Sequence, residues 1–179
     1  MSNFAAAVVR VADEWSAHEV SLGDAADIED VADTLRDVNP AADVSLLFVE
    51  SNDEYLVILR LDQGEDLRVF GSDVAFAEES RLGALLLDEI AQPVVELSTV
   101  DLEVPEPSAD DSEEADGPAS PVAADAEPAG DADLLADLGM PASRLLELCG
   151  QDGMLPSDIT AEVCQAIGCG DEVEELRDV

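Results

Sequence analysis

Val44-Ser45-Leu46-Leu47-Phe48-Val49-Glu50, Tyr55-Leu56-Val57-Ile58-Leu59-Arg60-Leu61 and Leu67-Arg68-Val69-Phe70 are three apolar runs separated by two short polar stretches. Each run has strand length and is rich in β-branched, aromatic and leucine side chains. Ser51-Asn52-Asp53-Glu54 makes a first turn. Asp62-Gln63-Gly64-Glu65-Asp66 makes a second, in which Gly64 can take positive φ. Connections this short favour antiparallel pairing, so the stretch reads as a three-stranded meander. Tyr55 to Leu61 is apolar on both parities, the pattern of a central strand covered on both faces.

Upstream, Phe4 to Val11 reads as a strand of Ala and Val, Asp13-Glu14 as a turn, and Trp15 to Val20 as a returning strand. Ile28, Val31, Ala32, Leu35 and Val38 fall on one face of an α-helix. Asp24 or Asp27 can cap its start, and Asn39-Pro40 stops it. Downstream, Ser72 or Ser80 can cap a helix carrying Leu82, Leu85, Leu86 and Ile90. The order is β-β-α-β-β-β-α. Residues 1–100 are therefore expected to form an α+β domain, one antiparallel sheet with helices packed on a face.

The composition changes after Val100. Residues 101–133 hold 12 acids, no base and five prolines, with no helical or strand period. Such a segment cannot offset its ordering entropy and is expected to be a disordered linker. Residues 134–179 read as a small all-α unit. Asp131 precedes Leu134, Leu135 and Leu138. Pro141 sits at the start of a helix with Leu145, Leu146 and Cys149, ended by Gly150. Pro156 opens another helix, with Ile159, Val163, Ala166 and Ile167, ending near Gly168. Val173 and Leu176 mark a last short turn. A unit this small has a marginal core and needs a surface to dock on.

The charge inventory is lopsided: 44 Asp and Glu against seven Arg, no Lys and one His, for a formal net charge of −37. Such a surface repels phosphate backbones and anionic membranes, which argues against direct nucleic-acid binding through a basic patch. Hydrophobic residues make up 47%, so most of the chain has apolar surface to bury and is not a disordered solvating polymer. Salt adaptation and a lysine-poor coding background explain the acidity equally well. No run reaches the length of a membrane span. Phe4 to Val9 is too short for a signal-peptide core and follows no basic residue. A cytoplasmic protein is expected.

No catalytic, cofactor or metal site is expected. Cys149, Cys164 and Cys169 lack a nearby His and a fourth ligand, and free buried Cys behaves as a small hydrophobe. His18 has Glu19 beside it, but strand neighbours point to opposite faces, so it reads as a surface histidine. Adjacent carboxylates such as Glu78-Glu79 are expected by chance among so many acids. Asp62 to Asp66 lacks the ligand ladder of a calcium loop. There is no glycine-rich phosphate loop and no G-x-S-x-G elbow. Arg60 and Arg68 stand apart. A turn centred on Gly64 places them opposite each other, which is unfavourable unless carboxylates intervene. They form either a network with local Asp and Glu or a socket for a carboxylate of a partner, and they are the candidate partner-binding residues.

The run Asn52 to Asp62 with Asp66 to Asp73 resembles the actinobacterial family called tRNA adenosine deaminase-associated proteins, as does Phe4 with its Ala/Val strand. Gly130 to Gly139, followed by Met154-Leu155-Pro156, is similar to the family's C-terminal block. Gly71 departs from the bulkier residue expected at the end of that strand. The resemblance implies association with a tRNA-editing deaminase, not deaminase activity. A zinc deaminase of that type needs H-x-E and P-C-x-x-C, whereas His18 is followed directly by Glu19 and no two Cys have two-residue spacing. The reading is a non-enzymatic accessory protein that partners a tRNA adenosine deaminase. Its rivals are an acidic nucleic-acid mimic that occupies a basic cleft, and an enzyme without a recognisable motif.

Overall fold

Strands β3 (Val44–Ser51) and β4 (Tyr55–Asp62) lie in the middle of an antiparallel sheet in a computed structural model that describes residues 3–51, 54–73, 79–87, 128–151 and 153–178. The other strands are β1 (Asn3–Val11), β2 (Glu14–Glu19), β5 (Asp66–Gly71) and β6 (Ala129–Gly130). Their order across the sheet is β2-β1-β3-β4-β5-β6. The α+β class and the expected element order hold. Seven of the eight residues of β4 are buried, as its double-parity apolar pattern requires. Ala6, Phe48, Ile58 and Phe70 pair across four neighbouring strands and form one continuous apolar row.

The first hairpin turns one residue earlier than expected. Ala12 and Asp13 both have positive φ, 49° and 71°, so the two-residue loop matches the right-handed twist of the strands it joins. At the β4–β5 turn Gln63 and Gly64 take positive φ, with Gly64 at 77°. Asn52 and Asp53 of the expected turn between β3 and β4 lie outside the described residues, as does Ile90.

Helix α1 (Ile28–Val38) is capped by Asp27, whose carboxylate accepts from the Asp30 amide at 3.0 Å. Helix α2 (Arg81–Leu87) begins after Ser80, whose hydroxyl accepts from the Gly83 amide at 3.1 Å. Both helices cover one face of the sheet. Val31, Leu35, Leu86 and Leu87 pack there on Leu47, Val49, Val57, Leu59 and Val69. Gly71 finds its reason here. A Cβ at that position would stand 2.9 Å from Leu87 Cδ2, so the side chain that β5 lacks is replaced by one from α2.

The opposite face is covered by the C-terminal residues, so helices pack on both faces rather than on one. A 3₁₀ turn (Ala136–Leu138) leads to α3 (Ala142–Cys149), α4 (Pro156–Ile167) and α5 (Gly170–Arg177). Pro141 caps α3 rather than opening it, Pro156 is the first residue of α4, and Gly168 ends α4 with φ of 91°. Leu134, Leu135, Leu145, Leu148, Ile159 and Val163 share one buried cluster with Val8, Leu46, Phe48, Leu56, Ile58 and Phe70. Each such side chain gains on the order of 1.5–3 kcal/mol from burial. The surface that the small helical unit needs is thus the second face of the sheet. Residues 101–127 of the stretch read as a linker lie outside the described residues, while Ala129 and Gly130 pair with Gly71 and Phe70 at the sheet edge.

Candidate functional site

Arg60 and Arg68 are register partners on β4 and β5, with side chains on the face that receives the C-terminal helices. Between them stands Asp62, one carboxylate oxygen toward each arginine. Oδ1 accepts from Arg60 Nε at 3.0 Å and Oδ2 accepts from Arg68 at 2.8 Å. This intervening charge makes the like-charge pairing tolerable.

Arg60 is 4% exposed. Asp137, on the 3₁₀ turn, engages it through both carboxylate oxygens, one of them at 2.8 Å from the second terminal nitrogen. The Leu134 carbonyl accepts from the first terminal nitrogen at 2.5 Å. Together with Asp62, these oxygens face all five N–H donors of the fork. The hydrogen bond to Asp137 holds the Arg60 guanidinium above its usual pKa, partly offset by burial and reinforced by Asp62. The same hydrogen bond, together with the arginine's charge, holds the Asp137 carboxyl below its usual value despite partial burial. Arg68 is less enclosed. Its side chain is 37% exposed, with Asp131 at 3.8 Å as its second carboxylate.

A second ion pair fastens the other end of the helical layer. Arg177, on α5, donates to Glu50 of β3 and stands over the Phe4 ring at 5.0 Å. The carboxylates that occupy the two hairpin arginines therefore include Asp137 from the C-terminal unit and Asp131 from the stretch just before it, and a third arginine, from that unit, reaches back to the sheet. Sequence reasoning singled out Arg60 and Arg68 but none of these partners. Nothing in local spacing links position 60 with 137 or 50 with 177.

His18 lies exposed on the edge strand β2. Cys164 and Cys169 are buried, and Cys149 is half-buried. Hydrogen bonding to the Cys164 thiol, followed by burial, pushes the Cys169 thiol far above its usual range. Burial pushes Cys149 up to about 11. Both are protonated, and so poor nucleophiles, at neutral pH. No helix among the described residues is long and apolar enough to cross a membrane.

A protein-family model described as Rv3753c-like tRNA adenosine deaminase-associated protein matches residues 3–170. That span includes the meander, both helices on the first face and most of the helical layer on the second. No curated protein and no solved structure matches the chain.

Proposed function

The chain belongs to the Rv3753c-like tRNA adenosine deaminase-associated family, and from that premise we propose that it is a non-enzymatic cytoplasmic accessory protein that binds a tRNA adenosine deaminase. The family match over residues 3–170 carries this reading. The chemistry of the chain is compatible with it. Its buried Arg60 is saturated by carboxylates and a carbonyl, two of its three thiols are held protonated, and His18 is exposed on an edge strand. An enzyme that handles tRNA needs a basic surface, and a partner with a net charge of −37 is electrostatically matched to one. Within this reading Arg68, with more than a third of its side chain exposed, is the better placed of the two hairpin arginines to receive a partner's carboxylate.

Titration calorimetry and co-elution of the two purified proteins test the proposal. The expected result is a complex whose association slows markedly from low to physiological salt, with a smaller change in dissociation. Arg68→Ala should weaken that complex and leave the fold intact. Absence of heat and of co-elution at both salt concentrations would sink the physical partnership. The second reading, an acidic nucleic-acid mimic, is favoured by the charge alone. It predicts that the protein and tRNA compete for the deaminase, whereas a helper leaves tRNA binding in place.

A further inference from the structure

Among the described residues, the helices on the α1/α2 face leave part of it open. Between the segment 20–25, which follows β2, and helix α2 lies an open groove of about 750 Å³. The apolar part of its lining comes from Val20 and Leu22 on one side and Leu82 and Leu85 on the other. Leu22 is buried, whereas Val20, Leu82 and Leu85 are only partly covered by the core they pack on. Ser80 stands in one wall, its hydroxyl fixed by the Tyr55 hydroxyl at 2.7 Å and by the Gly83 amide, so the wall is rigidly placed.

The rim carries Glu19, Glu54 and Glu79, all exposed. None of the three forms an ion pair among the described residues. Among the described residues, Arg81 is the one cation at the rim. Three carboxylates around a partly apolar trough complement a segment with a hydrophobic stripe flanked by Lys or Arg. Other occupants are disfavoured by charge. Residues 74–78 and 88–127 of the same chain carry acids and no base, and a second copy would bring another net −37 to the rim.

We propose that this groove is the docking surface for a cationic amphipathic segment of a partner protein. The groove's chemistry stands on its own residues, while assigning that segment to a tRNA adenosine deaminase rests on the preceding reading. The contact is distinct from the hairpin arginines, which lie on the opposite face of the sheet.

The test uses the full chain and a fluorescent synthetic peptide of about 18 residues, with Leu at helical i, i+3, i+4 spacing and Lys elsewhere. Wild-type protein should bind it saturably. The triple variant Glu19→Lys, Glu54→Lys, Glu79→Lys should lose about tenfold or more in affinity. Asp171→Lys, Glu174→Lys, Glu175→Lys makes the same charge change on the exposed face of α5 and should lose less than about threefold. Leu82→Ala should weaken binding even at salt that screens the rim. Circular dichroism confirms that each variant is folded. Equal losses in the two triple variants would mean that the peptide reads only overall charge, and would overturn the proposal. So would no loss in either, or no binding by wild type. Purified deaminase in the same assay separates the two ideas. If it fails to bind while the peptide results hold, the proposed partnership falls and the groove stands. If it binds wild type and the groove variant equally, the groove is not its docking surface.

Discussion

Arg60 and Asp137 stand 77 residues apart in the chain and meet in a two-oxygen ion pair that pins the C-terminal helices to the sheet. The arginine is almost fully buried, while the Asp137 side chain is 58% exposed. Such a pair falls between a surface contact worth little and a buried one whose disruption is costly. Asp137→Asn should therefore destabilise the protein by about 1–2 kcal/mol. Asp133→Asn, a nearby exposed carboxylate in no ion pair among the described residues, should leave stability within about 0.5 kcal/mol of wild type. Urea unfolding of the two variants checks the difference.

The same pair gives a pH dependence with a definite sign. Asp137 titrates below its unfolded value because of its hydrogen bond from Arg60. Its contribution is complete above the unfolded carboxylate pKa of about 3.9 and is lost as pH falls through the lower folded value. The stability gap between wild type and Asp137→Asn should be constant from neutral pH to about pH 5 and close below pH 4. A gap that instead widens in acid would contradict the assignment.

Gly71 and Leu87 should be energetically coupled. Gly71→Ala places a methyl 2.9 Å from a buried leucine tip, an overpacking expected to cost about 1–2 kcal/mol. In a Leu87→Ala background the space is free and the same substitution should cost less than about half as much. A double-mutant cycle by chemical denaturation measures the coupling, and additive effects would rule it out.

Salt should stabilise this protein. With 44 acids against seven arginines, self-repulsion outweighs the few exposed ion pairs that salt weakens. The Tm should rise steadily as NaCl increases from low to high concentration. Asp137→Asn should shift at least as much on addition of salt as wild type, because the attraction to Arg60 that salt would screen is already gone.

Limited proteolysis should cut first within 101–127, where acids, proline and alanine offer no apolar period to build a core. The two fragments should then co-elute under native conditions, because Leu134, Leu145 and Val163 share a cluster with Phe48 and Ile58. Separation in urea should follow. First cleavage within 44–70, or fragments that part without denaturant, would contradict the expectation.

The meander was legible because its signals are local. Apolar runs, short turns and the double-parity pattern of β4 lie within a few residues of one another. The same holds for the Asp27 cap, the stop at Asn39-Pro40 and the Arg60–Arg68 pairing, which follows from turn length alone. What escaped was long-range. Covering both faces of the sheet depends on where the C-terminal leucines dock, and periodicity shows that a helix has an apolar side without naming what meets it. The two-residue strand β6 is too short to carry a pattern. Gly71 looked anomalous for a related reason: its explanation lies in Leu87, on another element.

The split core also sets a timetable for folding. A nascent chain that has reached residue 127 already holds all of β1 to β5, yet the row of Phe48, Ile58 and Phe70 still lacks the leucines that will cover it. The sheet cannot close both faces until residues near Val173 have left the ribosome, so completion waits for nearly the whole chain and depends on contacts of large sequence separation. Until then the excess of acids over bases along the chain is its protection, since mutual repulsion keeps unfinished chains apart.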